Sequence, residues 1–381
     1  MSRLKFQLEG IASYSRARAG KFQTLHGTVL TPLFMPVGTQ ATVKAQTSQT
    51  LKECDSQILL ANTYHLLLRP GAEVFQRLGG IHRLMNWSHS VLTDSGGFQI
   101  YSLPHSRKMK EEGALFKSYV DGKLILLTPE LSIEMQKSIG SDIMMVLDQC
   151  VSSTSDLNQA LEAMERTHRW ALRSLKARGE SRQSLFAIVQ GACISELRKQ
   201  SASFLTQFEF DGFAIGGLAV GESKAMREDF TEMTVELLPS HLPRYLMGVG
   251  TPLDILEAVH RGVDLFDCII PTAHAQRGVA YTHQGKVQLR RTAYKFSEDR
   301  LDLYCSCSTC TLYSKAYLHH LIKSEEVLGW HLVGFHNLFF YRQFMREIRQ
   351  SILEDTFETY YQSKKKNLLT PESHRTEIYL Q

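Results

Sequence analysis

Between about residue 30 and residue 270, short apolar runs alternate with amphipathic stretches. This alternation is the pattern of repeated strand–helix units around a parallel sheet. Eight such units predict a (β/α)8 TIM barrel, which is an α/β fold. The eight candidate strands are Leu33–Val37, Ile58–Ala61, Val91–Thr93, Ile143–Leu147, Phe186–Val189, Phe213–Ile215, Tyr245–Met247 and Asp264–Phe266.

Start signals mark several of the intervening helices. Thr128-Pro129-Glu130 combines a capping residue, a first-turn proline and an early carboxylate, and Thr251-Pro252 repeats the device. A long helical periodicity runs from Asp156 to Ala177, and Gly179 can end that helix. A turn at Asp121-Gly122 predicts a hairpin, near residues 114–127, inserted between the third and fourth units.

The composition is that of a globular chain. Of 381 residues, 43% are hydrophobic and 22% charged, which excludes wholesale disorder. A net charge of +4 means that any nucleic-acid surface must be local. The first residues lack the apolar core of a secretion signal, and no apolar run approaches the ~20 residues that span a bilayer. We therefore expect a cytoplasmic protein without a membrane segment.

Polar residues and glycines follow directly after the predicted strands, and three of them are the carboxylates Asp94, Asp148 and Asp267. The strands of a TIM barrel end at one mouth, where the chemistry of the fold takes place. A single aspartate after a strand can equally cap a helix. Asp267 fits that role poorly, because it lies in the apolar run Leu265–Ile270, where an unpaired carboxylate is costly.

Three carboxylates in one mouth suggest chemistry at a sugar. One carboxylate acting as nucleophile and a second handling protons can run a displacement at an anomeric carbon with retention of configuration. The third can accept the two N–H donors on the edge of a guanine-like base, with Gln190 and Gly216-Gly217 as donors to its carbonyl oxygen. Phe98 and Met247 could flank a flat base, although core packing explains them as well.

Cys305, Cys307 and Cys310 bring three soft ligands into one short loop. His336 is the most plausible fourth ligand, while His319, His320 and His331 remain alternatives. A Cys3His set is typical of one closed, structural zinc ion without a catalytic position. The seven cysteines and the lack of a secretion signal favour reduced thiols and a metal site over disulfides.

A basic segment precedes the cysteine loop. Between residues 277 and 300, six basic residues stand against two acidic ones, Glu298 and Asp299. The segment is either a phosphate-contacting strip or a solvated hairpin around Gln284-Gly285. Its basic residues are Arg277, Lys286, Arg290, Arg291, Lys295 and Arg300.

Taken together, the motifs resemble the bacterial-type tRNA-guanine transglycosylases along nearly the whole chain. Each motif is weak alone, but their order is specific. They are 38-GTQATVK-44, 62-NTYHLLLRPG-71, 93-TDSGGFQ-99, 189-VQG-191, 216-GGLAVGE-222, 245-YLMGVGTP-252, 266-FDC-268 and the set Cys305, Cys307, Cys310 and His336.

The resemblance implies a (β/α)8 barrel with an inserted zinc-binding subdomain, working as a homodimer without an organic cofactor. It implies exchange of guanine at the wobble position of tRNAs with GUN anticodons for a 7-deazaguanine, in queuosine biosynthesis. Asp267 would be the nucleophile and Asp94 would handle the protons of the bases. The implied substrate-binding residues are Ser95, Gly96, Gly97, Phe98, Asp148, Gln190, Gly217 and Met247.

The resemblance also implies two segments that contact the anticodon loop. The family usually has arginines at the positions of Ala273 and Gln276. Cys150 and Val220 are similar to the bacterial pattern, which favours the aminomethyl precursor of queuine over queuine itself as the incoming base. The RNA-contacting residues would be Gly248, Val249, Gly250, Thr251, Pro252, Leu253, Asp254, Thr272, Ala273, His274, Ala275 and Gln276.

We expect a barrel with N-terminal β elements over residues 1–272, a zinc subdomain with helices over 273–350 and a C-terminal helical tail over 351–381. Two other activities compete with base exchange. A non-catalytic tRNA-binding subunit would lack the catalytic carboxylates, whereas Asp94 and Asp267 are both present. A hydrolytic nucleosidase would need a metal-binding aspartate cluster, which this sequence lacks.

Overall fold

The computed structural model describes residues 3–103 and 107–369. Strands and helices are numbered separately, in chain order, within these ranges. The strands are β1 (Gln7–Ile11), β2 (Arg18–Thr24), β3 (Gly27–Thr31), β4 (Leu33–Pro36), β5 (Ile58–Ala61), β6 (Ser90–Thr93), β7 (Arg107–Met109), β8 (Ala114–Lys117), β9 (Leu124–Leu127), β10 (Ile143–Met145), β11 (Ser184–Val189), β12 (Gly212–Ile215), β13 (Arg244–Leu246), β14 (Leu265–Cys268), β15 (Val279–Thr282) and β16 (Gly285–Gln288).

The α-helices lie mostly between and after the barrel strands, and a short 3-10 helix covers Thr292–Tyr294. The α-helices are α1 (Ser48–Glu53), α2 (Thr63–Leu68), α3 (Ala72–Leu78), α4 (Ile81–Met85), α5 (Gly97–Ser102), α6 (Pro129–Ile139), α7 (Leu157–Arg178), α8 (Ser195–Leu205), α9 (Lys224–Leu237), α10 (Pro252–His260), α11 (Ile270–Gln276), α12 (Ser308–Leu312), α13 (Lys315–Lys323), α14 (Val327–Leu353) and α15 (Phe357–Leu369).

Eight parallel strands form the barrel, and each pairs with the next barrel strand along the chain. They are β4, β5, β6, β10, β11, β12, β13 and β14. β14 pairs with β4 over four residues. β4 and β5 meet through a bridge between Val37 and Leu60, where the Gly38 N–H donates to the Leu60 carbonyl at 2.6 Å. The predicted (β/α)8 fold is confirmed.

The ends of several strands differ from the prediction. β14 continues to Cys268, because Asp267 and Cys268 stay in register with β4, so Asp267 lies inside the strand rather than after it. β13 ends at Leu246 and leaves Met247 in the following loop. β10 ends at Met145, two residues earlier than predicted. These shifts leave the relevant side chains at the carboxyl end of the barrel.

The predicted helix caps are present. Thr128, Asp156 and Thr251 each accept a hydrogen bond from the backbone N–H three residues later. Gly179 follows the last residue of α7 with a φ of 53°, a left-handed value that favours glycine. The inserted hairpin is present as β8 and β9, and the unpredicted strand β7 extends it to a three-stranded antiparallel sheet. The short polar run Arg107–Met109 carries no strand periodicity of its own.

The N-terminal sheet β1–β3 covers the amino end of the barrel. Arg18 on β2 forms a buried, bidentate ion pair with Asp264, with N–O distances of 2.6 and 2.9 Å. Asp264 also accepts the backbone N–H of Arg244 at 2.7 Å, so the pair links the sheet to two barrel strands. Because this end is closed, the carboxyl end is where a substrate can enter.

Helix α14 holds the C-terminal region against the barrel. Its buried Asn337 accepts the Tyr281 N–H at 2.9 Å and donates to the carbonyls of Pro271 and Val279 at 2.8 and 3.0 Å. Helices α11 and α14 run across the domain boundaries expected at residues 272 and 350, and these boundaries stay predictions. In the expected tail, α15 ends at Leu369, and residues 370–381 lie outside the described residues.

None of the helices in the described part of the chain combines the length and the apolar character that crossing a bilayer requires.

Candidate active site

A cavity of about 330 Å³ opens at the carboxyl ends of the barrel strands. All three predicted carboxylates, Asp94, Asp148 and Asp267, line it. Their strands are far apart in sequence, and the closed barrel brings their carboxyl ends to one mouth. The other predicted substrate-binding residues that line the cavity are Ser95, Phe98, Gln190, Gly217 and Met247.

Asp94 lies directly after β6 and is only 7% exposed. Its Oδ2 accepts hydrogen bonds from the amides of Asn62, at 2.5 Å, and Gln99, at 2.9 Å. Its Oδ1 accepts the Thr63 N–H at 2.7 Å. Three donors therefore fix the orientation of a carboxyl group that has little contact with water.

Burial raises the pKa of Asp94 to about 6, because the charged form loses its hydration. The hydrogen bonds from Asn62, Thr63 and Gln99 oppose this shift, and the negative charge of Asp267 adds to it. Near neutral pH both protonation states of Asp94 are accessible. This is the property that a group needs in order to deliver and accept protons in one catalytic cycle.

Asp267 is partly exposed to the cavity. Its Oδ1 accepts the Tyr245 hydroxyl at 2.6 Å and the Gly248 N–H at 2.7 Å. Among the described residues, both hydrogen bonds to this carboxylate fall on Oδ1, which leaves Oδ2 for a ligand. Removal from bulk water raises the pKa of Asp267, and the two donors oppose this shift. Two hydrogen bonds therefore hold Oδ1 of the carboxylate, and Oδ2 is available to a ligand.

Asp148 and Gln190 form a hydrogen-bonded pair. The Gln190 Nε2 donates to Asp148 Oδ2 at 2.7 Å, and the Ser95 hydroxyl donates to Oδ1 at 3.1 Å. Burial raises the pKa of Asp148, while the two donors lower it. A Cβ on Gly97 would lie 2.5 Å from the Asp148 carbonyl oxygen, and one on Gly217 would lie 2.4 Å from Gln190 Oε1. Gly97 requires glycine because the close atom is backbone, and Gly217 favours glycine because its φ is 65°.

Phe98 and Met247 both line the cavity, as expected for residues that flank a planar ligand. Phe98 is 47% exposed, so it is not a core residue, and Met247 is partly buried. Cys150 and Val220 are also in the lining. Gly96 has a φ of 90° and precedes α5, whose first residue is Gly97.

The first expected RNA segment begins at Gly248 in the cavity lining, and the second lies in α11, which follows the lining residue Ile269. Their residues differ in access to solvent. Gly248 is exposed, whereas Val249, Gly250 and Pro252 are buried. Leu253 is partly buried, and Thr251 and Asp254 cap α10, with Asp254 also paired to Arg227 at 2.9 Å. In α11, Thr272 and Ala275 are buried, and Ala273, His274 and Gln276 are partly exposed.

The predicted metal ligands converge at one buried point. The three thiols and a ring nitrogen of His336 lie within 4.8 Å of one another. His336 Nδ1 faces Cys307 and Cys310, and its Nε2 lies 2.7 Å from the Tyr281 carbonyl oxygen, which accepts its proton. This carbonyl directs Nδ1 toward a metal. His319 and His331 instead contact the carbonyls of Leu289 and Ala45.

A second group of possible ligands, His26, His82 and Asp142, lies at the amino end of the barrel. The two imidazoles stack with ring centroids 3.6 Å apart, and both contact Asp142. A metal would have to lie far out of the plane of both stacked rings, so the geometry does not suit one. Asp142 also accepts the N–H groups of Val91 and His26, which links β6 to the N-terminal sheet.

Four residues that contact Asp94 or Asp267 were not predicted as functional residues: Asn62, Thr63, Gln99 and Tyr245. Asn62 and Gln99 lie within motifs that the sequence singles out, so their position was a usable signal. Tyr245 lies in an apolar strand and is fully buried, which makes it look like an ordinary core residue. The roles of the predicted site residues stay predictions.

Comparison with known proteins identifies what this arrangement is similar to. The family model described as queuine tRNA-ribosyltransferase matches residues 13–369. A queuine tRNA-ribosyltransferase of Natranaerobius thermophilus is 47% identical over 96% of this chain and 99% of its own. Those of a Thermoanaerobacter species and of Streptococcus equi subsp. equi are 48% and 49% identical. The former alignment covers 93% of this chain and 95% of the relative, and the latter 90% of each.

Proposed function

Since this chain belongs to the queuine tRNA-ribosyltransferase family, and so is a tRNA-guanine transglycosylase, we propose which exchange it performs. It replaces guanine at the wobble position of tRNAs with GUN anticodons, which read aspartate, asparagine, histidine and tyrosine codons. The incoming base is a 7-deazaguanine, with the aminomethyl precursor of queuine preferred. The reaction is a step of queuosine biosynthesis.

One observation carries this proposal: Asp94, Asp148 and Asp267 line a single cavity in three different hydrogen-bonding environments. Asp267 has a carboxylate oxygen available to a ribose, and Asp94 has a pKa of about 6. Asp148 is paired with Gln190 and suits the two N–H donors on the guanine edge. These environments suit Asp267 as a nucleophile, Asp94 as the group that transfers protons and Asp148 as the group that binds the edge of the base.

In the first displacement, Oδ2 of Asp267 bonds to the anomeric carbon of the ribose while the glycosidic bond to guanine breaks. The bonding electrons leave with guanine, and protonated Asp94 supplies its proton. In the second, ionised Asp94 takes the ring N–H proton of the incoming base, whose nitrogen attacks the same carbon. The ester bond breaks and Asp267 is restored. Two inversions retain the configuration at the ribose.

The covalent intermediate must be protected from water, which would hydrolyse it. The target nucleotide must leave its stack to enter a cavity inside the barrel mouth, as in other enzymes that act on a base. Phe98, half exposed at the cavity, offers a stacking face for that base. A flat base stacked there would also displace water from Asp267.

The four-ligand cluster holds one structural zinc ion in this proposal. A tetrahedral site with bonds of ~2.3 Å places its sulfur ligands about 3.8 Å apart, which fits donors that lie within 4.8 Å of one another. With three thiolates and one imidazole the ion has no open position. Its contribution is to hold α12 and α14 together, and no step of the reaction uses it.

The tRNA would lie across the barrel mouth and the basic segment before the cysteine loop. All six basic side chains predicted for that strip are exposed, which supports contact with phosphates. The segments 248–254 and 272–276, which start at or shortly after residues of the cavity lining, would hold the anticodon loop. We also propose a homodimer, on the resemblance to the family.

Incubation with radiolabelled guanine and unmodified tRNA tests the activity. We expect label in tRNAs with GUN anticodons, and none in the same tRNAs with another base at the wobble position. Release of guanine without incorporation would indicate a nucleosidase, and no reaction with tRNA binding alone would indicate a non-catalytic subunit. Either result would refute the exchange.

Competition between queuine and its aminomethyl precursor tests the choice of base. We expect the precursor to enter tRNA with the higher kcat/KM, because Cys150 and Val220, which line the cavity, are similar to the bacterial pattern that favours it. A preference for queuine would overturn that part of the proposal and leave the exchange reaction intact.

A further inference from the structure

Arg198, on helix α8, is a fully buried cation directly behind the base-binding wall of the cavity. Its side chain is 0% exposed. Its Nε donates to the Ala192 carbonyl at 2.7 Å, and its Nη2 donates to the Gly216 carbonyl at 2.9 Å. These two carbonyls belong to the loops after β11 and β12. One guanidinium therefore links the loop that carries Gln190 to the loop that carries Gly217.

The charge of Arg198 has no close counter-ion. Among the described residues no ion pair involves Arg198, and Glu222 pairs instead with Arg227 at 3.8 Å. The Nη1 of Arg198 has no hydrogen-bond partner. Its guanidinium carbon lies 6.0 Å from the centre of the Phe230 ring, and the carboxylate of Glu222 adds only a more distant attraction. Burial lowers the pKa of Arg198 to about 10, so the group stays protonated at neutral pH. An uncompensated buried charge is costly and calls for a functional reason.

The contact to Gly216 connects this charge to the cavity. The Gly216 carbonyl and the Gly217 N–H belong to the same peptide group, and this peptide is trans, since the cis bonds in the described residues are Thr31-Pro32 and Arg69-Pro70. In a trans peptide the carbonyl and the N–H point in opposite directions. Gly217 lines the cavity, and its N–H has no acceptor among the described residues.

We propose that Arg198 is a positioning residue that orients and polarises the Gly216–Gly217 peptide, so that the Gly217 N–H donates to the carbonyl oxygen of the bound guanine. The inference rests on the proposed function, because it assumes a guanine in the cavity. A cation on the carbonyl side of a peptide strengthens the donor on its other side. Negative charge develops on the departing base, so the donor contributes more in the transition state than in the bound complex.

Arginine suits this position for a geometric reason. Its planar fork reaches two carbonyls on separate loops at once, whereas a lysine ammonium in the same space could satisfy only one of them well. Substitution by methionine keeps much of the length and apolar packing of the side chain and removes every donor. The Arg198→Lys and Arg198→Met variants therefore separate the charge from the bridging of the two loops.

The test compares guanine with 6-thioguanine, which keeps the N1–H and amino donors of that edge but has sulfur, a weaker hydrogen-bond acceptor, in place of the oxygen at the purine 6-position. Dissociation constants for both bases are measured without tRNA, and kcat and KM for guanine exchange are measured with it. For Arg198→Met we expect the preference for guanine over 6-thioguanine to fall about threefold, and kcat for exchange to fall on the order of 10- to 100-fold. Affinity for 6-thioguanine should change less than affinity for guanine. Arg198→Lys should lie between these values.

Arg244 offers a matched control, because it is also a buried arginine that donates to two backbone carbonyls, those of Gly262 and Leu238, at the amino end of the barrel. Arg244→Met should destabilise the fold without changing the preference between the two bases. If Arg198→Met weakens both bases equally, or leaves the preference unchanged, the inference is wrong. If Arg198→Met does not fold, the same criterion applies to Arg198→Lys.

The binding measurements need no turnover, so they also separate two kinds of failure. A wild-type protein that prefers guanine but does not exchange it into tRNA would refute the proposed function. Wild-type exchange with an Arg198 variant that keeps the full preference for guanine would refute only the inference about Arg198.

Discussion

Asp94→Asn should make the protein more stable at neutral pH while it removes the proton carrier. The folded state raises the pKa of Asp94 from its usual 3.8 to about 6, chiefly through burial. A carboxyl group with a raised pKa favours the fold while it is protonated. Its contribution to stability is therefore fully present below about pH 3.8 and is lost as the pH rises through about 6.

The magnitude follows from the size of the shift. A difference of about two pKa units corresponds to about 3 kcal/mol, since one unit is worth ~1.4 kcal/mol. Asp94 is 7% exposed, so solvent screening reduces this figure little. Relative to the wild type, the free energy of unfolding of Asp94→Asn should increase between pH 4 and pH 6 by about 3 kcal/mol and stay constant above that.

The surroundings can accommodate the amide. The new side chain keeps an oxygen that can accept the Thr63 N–H, but its NH2 group would face the amides of Asn62 and Gln99. Gln99 Oε1 is buried without a hydrogen-bond partner, so a rotation of that amide would place an acceptor opposite the new donor. The Asn62 amide must rotate in the same way, because its Nδ2 would otherwise lose its acceptor.

Urea unfolding from pH 4 to pH 8, at fixed protein concentration, measures the difference between variant and wild type. Asp142→Asn is the control with the opposite sign. Burial alone would raise the pKa of Asp142, but hydrogen bonds from His82, Val91 and His26 outweigh it and lower the pKa. The Asp142 contribution is present above pH 3.8 and lost as the pH falls through its lower folded value, so Asp142→Asn should destabilise the protein at neutral pH.

A stability difference for Asp94→Asn that does not change between pH 4 and pH 8 would refute the reasoning, because the raised pKa requires the slope. A difference that grows as the pH falls would refute even its sign. The first result would mean that the folded protein leaves the pKa of Asp94 at its ordinary value, and the second that it lowers this pKa. In either case burial could not be the reason that Asp94 carries protons near neutral pH.

Three further predictions concern other residues. Asp267→Ala should abolish both exchange and the covalent tRNA adduct, seen by denaturing gel electrophoresis, with a fold close to wild type by circular dichroism; retained turnover would exclude the nucleophile role. Cys307→Ser should lose bound zinc and have a lower Tm, because structural zinc adds directly to folding; metal analysis and calorimetry measure the two effects. Cys193→Ser, outside the cluster, should have neither effect. Equal zinc content in both variants would contradict the metal site. Ala273→Arg should raise tRNA affinity if the new side chain reaches a phosphate. The slope of log binding constant against log salt concentration should then steepen by about 0.7. An unchanged slope would remove this position from the RNA surface.

The barrel could be predicted because its signal is local. Each strand is a short apolar run and each helix has its own capping residues, as at Thr128 and Thr251. The limits of the strands were less certain, because strand pairing with a neighbour decides where a strand ends. Asp267 lies inside β14 since β4 continues beside it, and nothing near residue 267 in the sequence indicates this.

The candidate site could be predicted as a set of residue types, but not as an environment. Strand ends identify Asp94, Asp148 and Asp267 because the topology of a barrel brings strand ends together. The difference between them comes from partners elsewhere in the chain. Asn62 holds Asp94 from the neighbouring strand end, and Tyr245 holds Asp267 from within an apolar strand.

From its residues alone, this sequence determined the fold class, the family, the carboxylates and the metal-ligand spacing, because each depends on residues that are close together or ordered along the chain. Tertiary structure decided which carboxylate is buried, which oxygen stays free and that Arg198 lies behind the Gly216–Gly217 peptide. Burial and hydrogen bonding arise between strands and loops that are distant in sequence. The pKa of each carboxyl group and the strength of the Gly217 N–H as a donor depend on those neighbours. Both are therefore set only when the barrel closes.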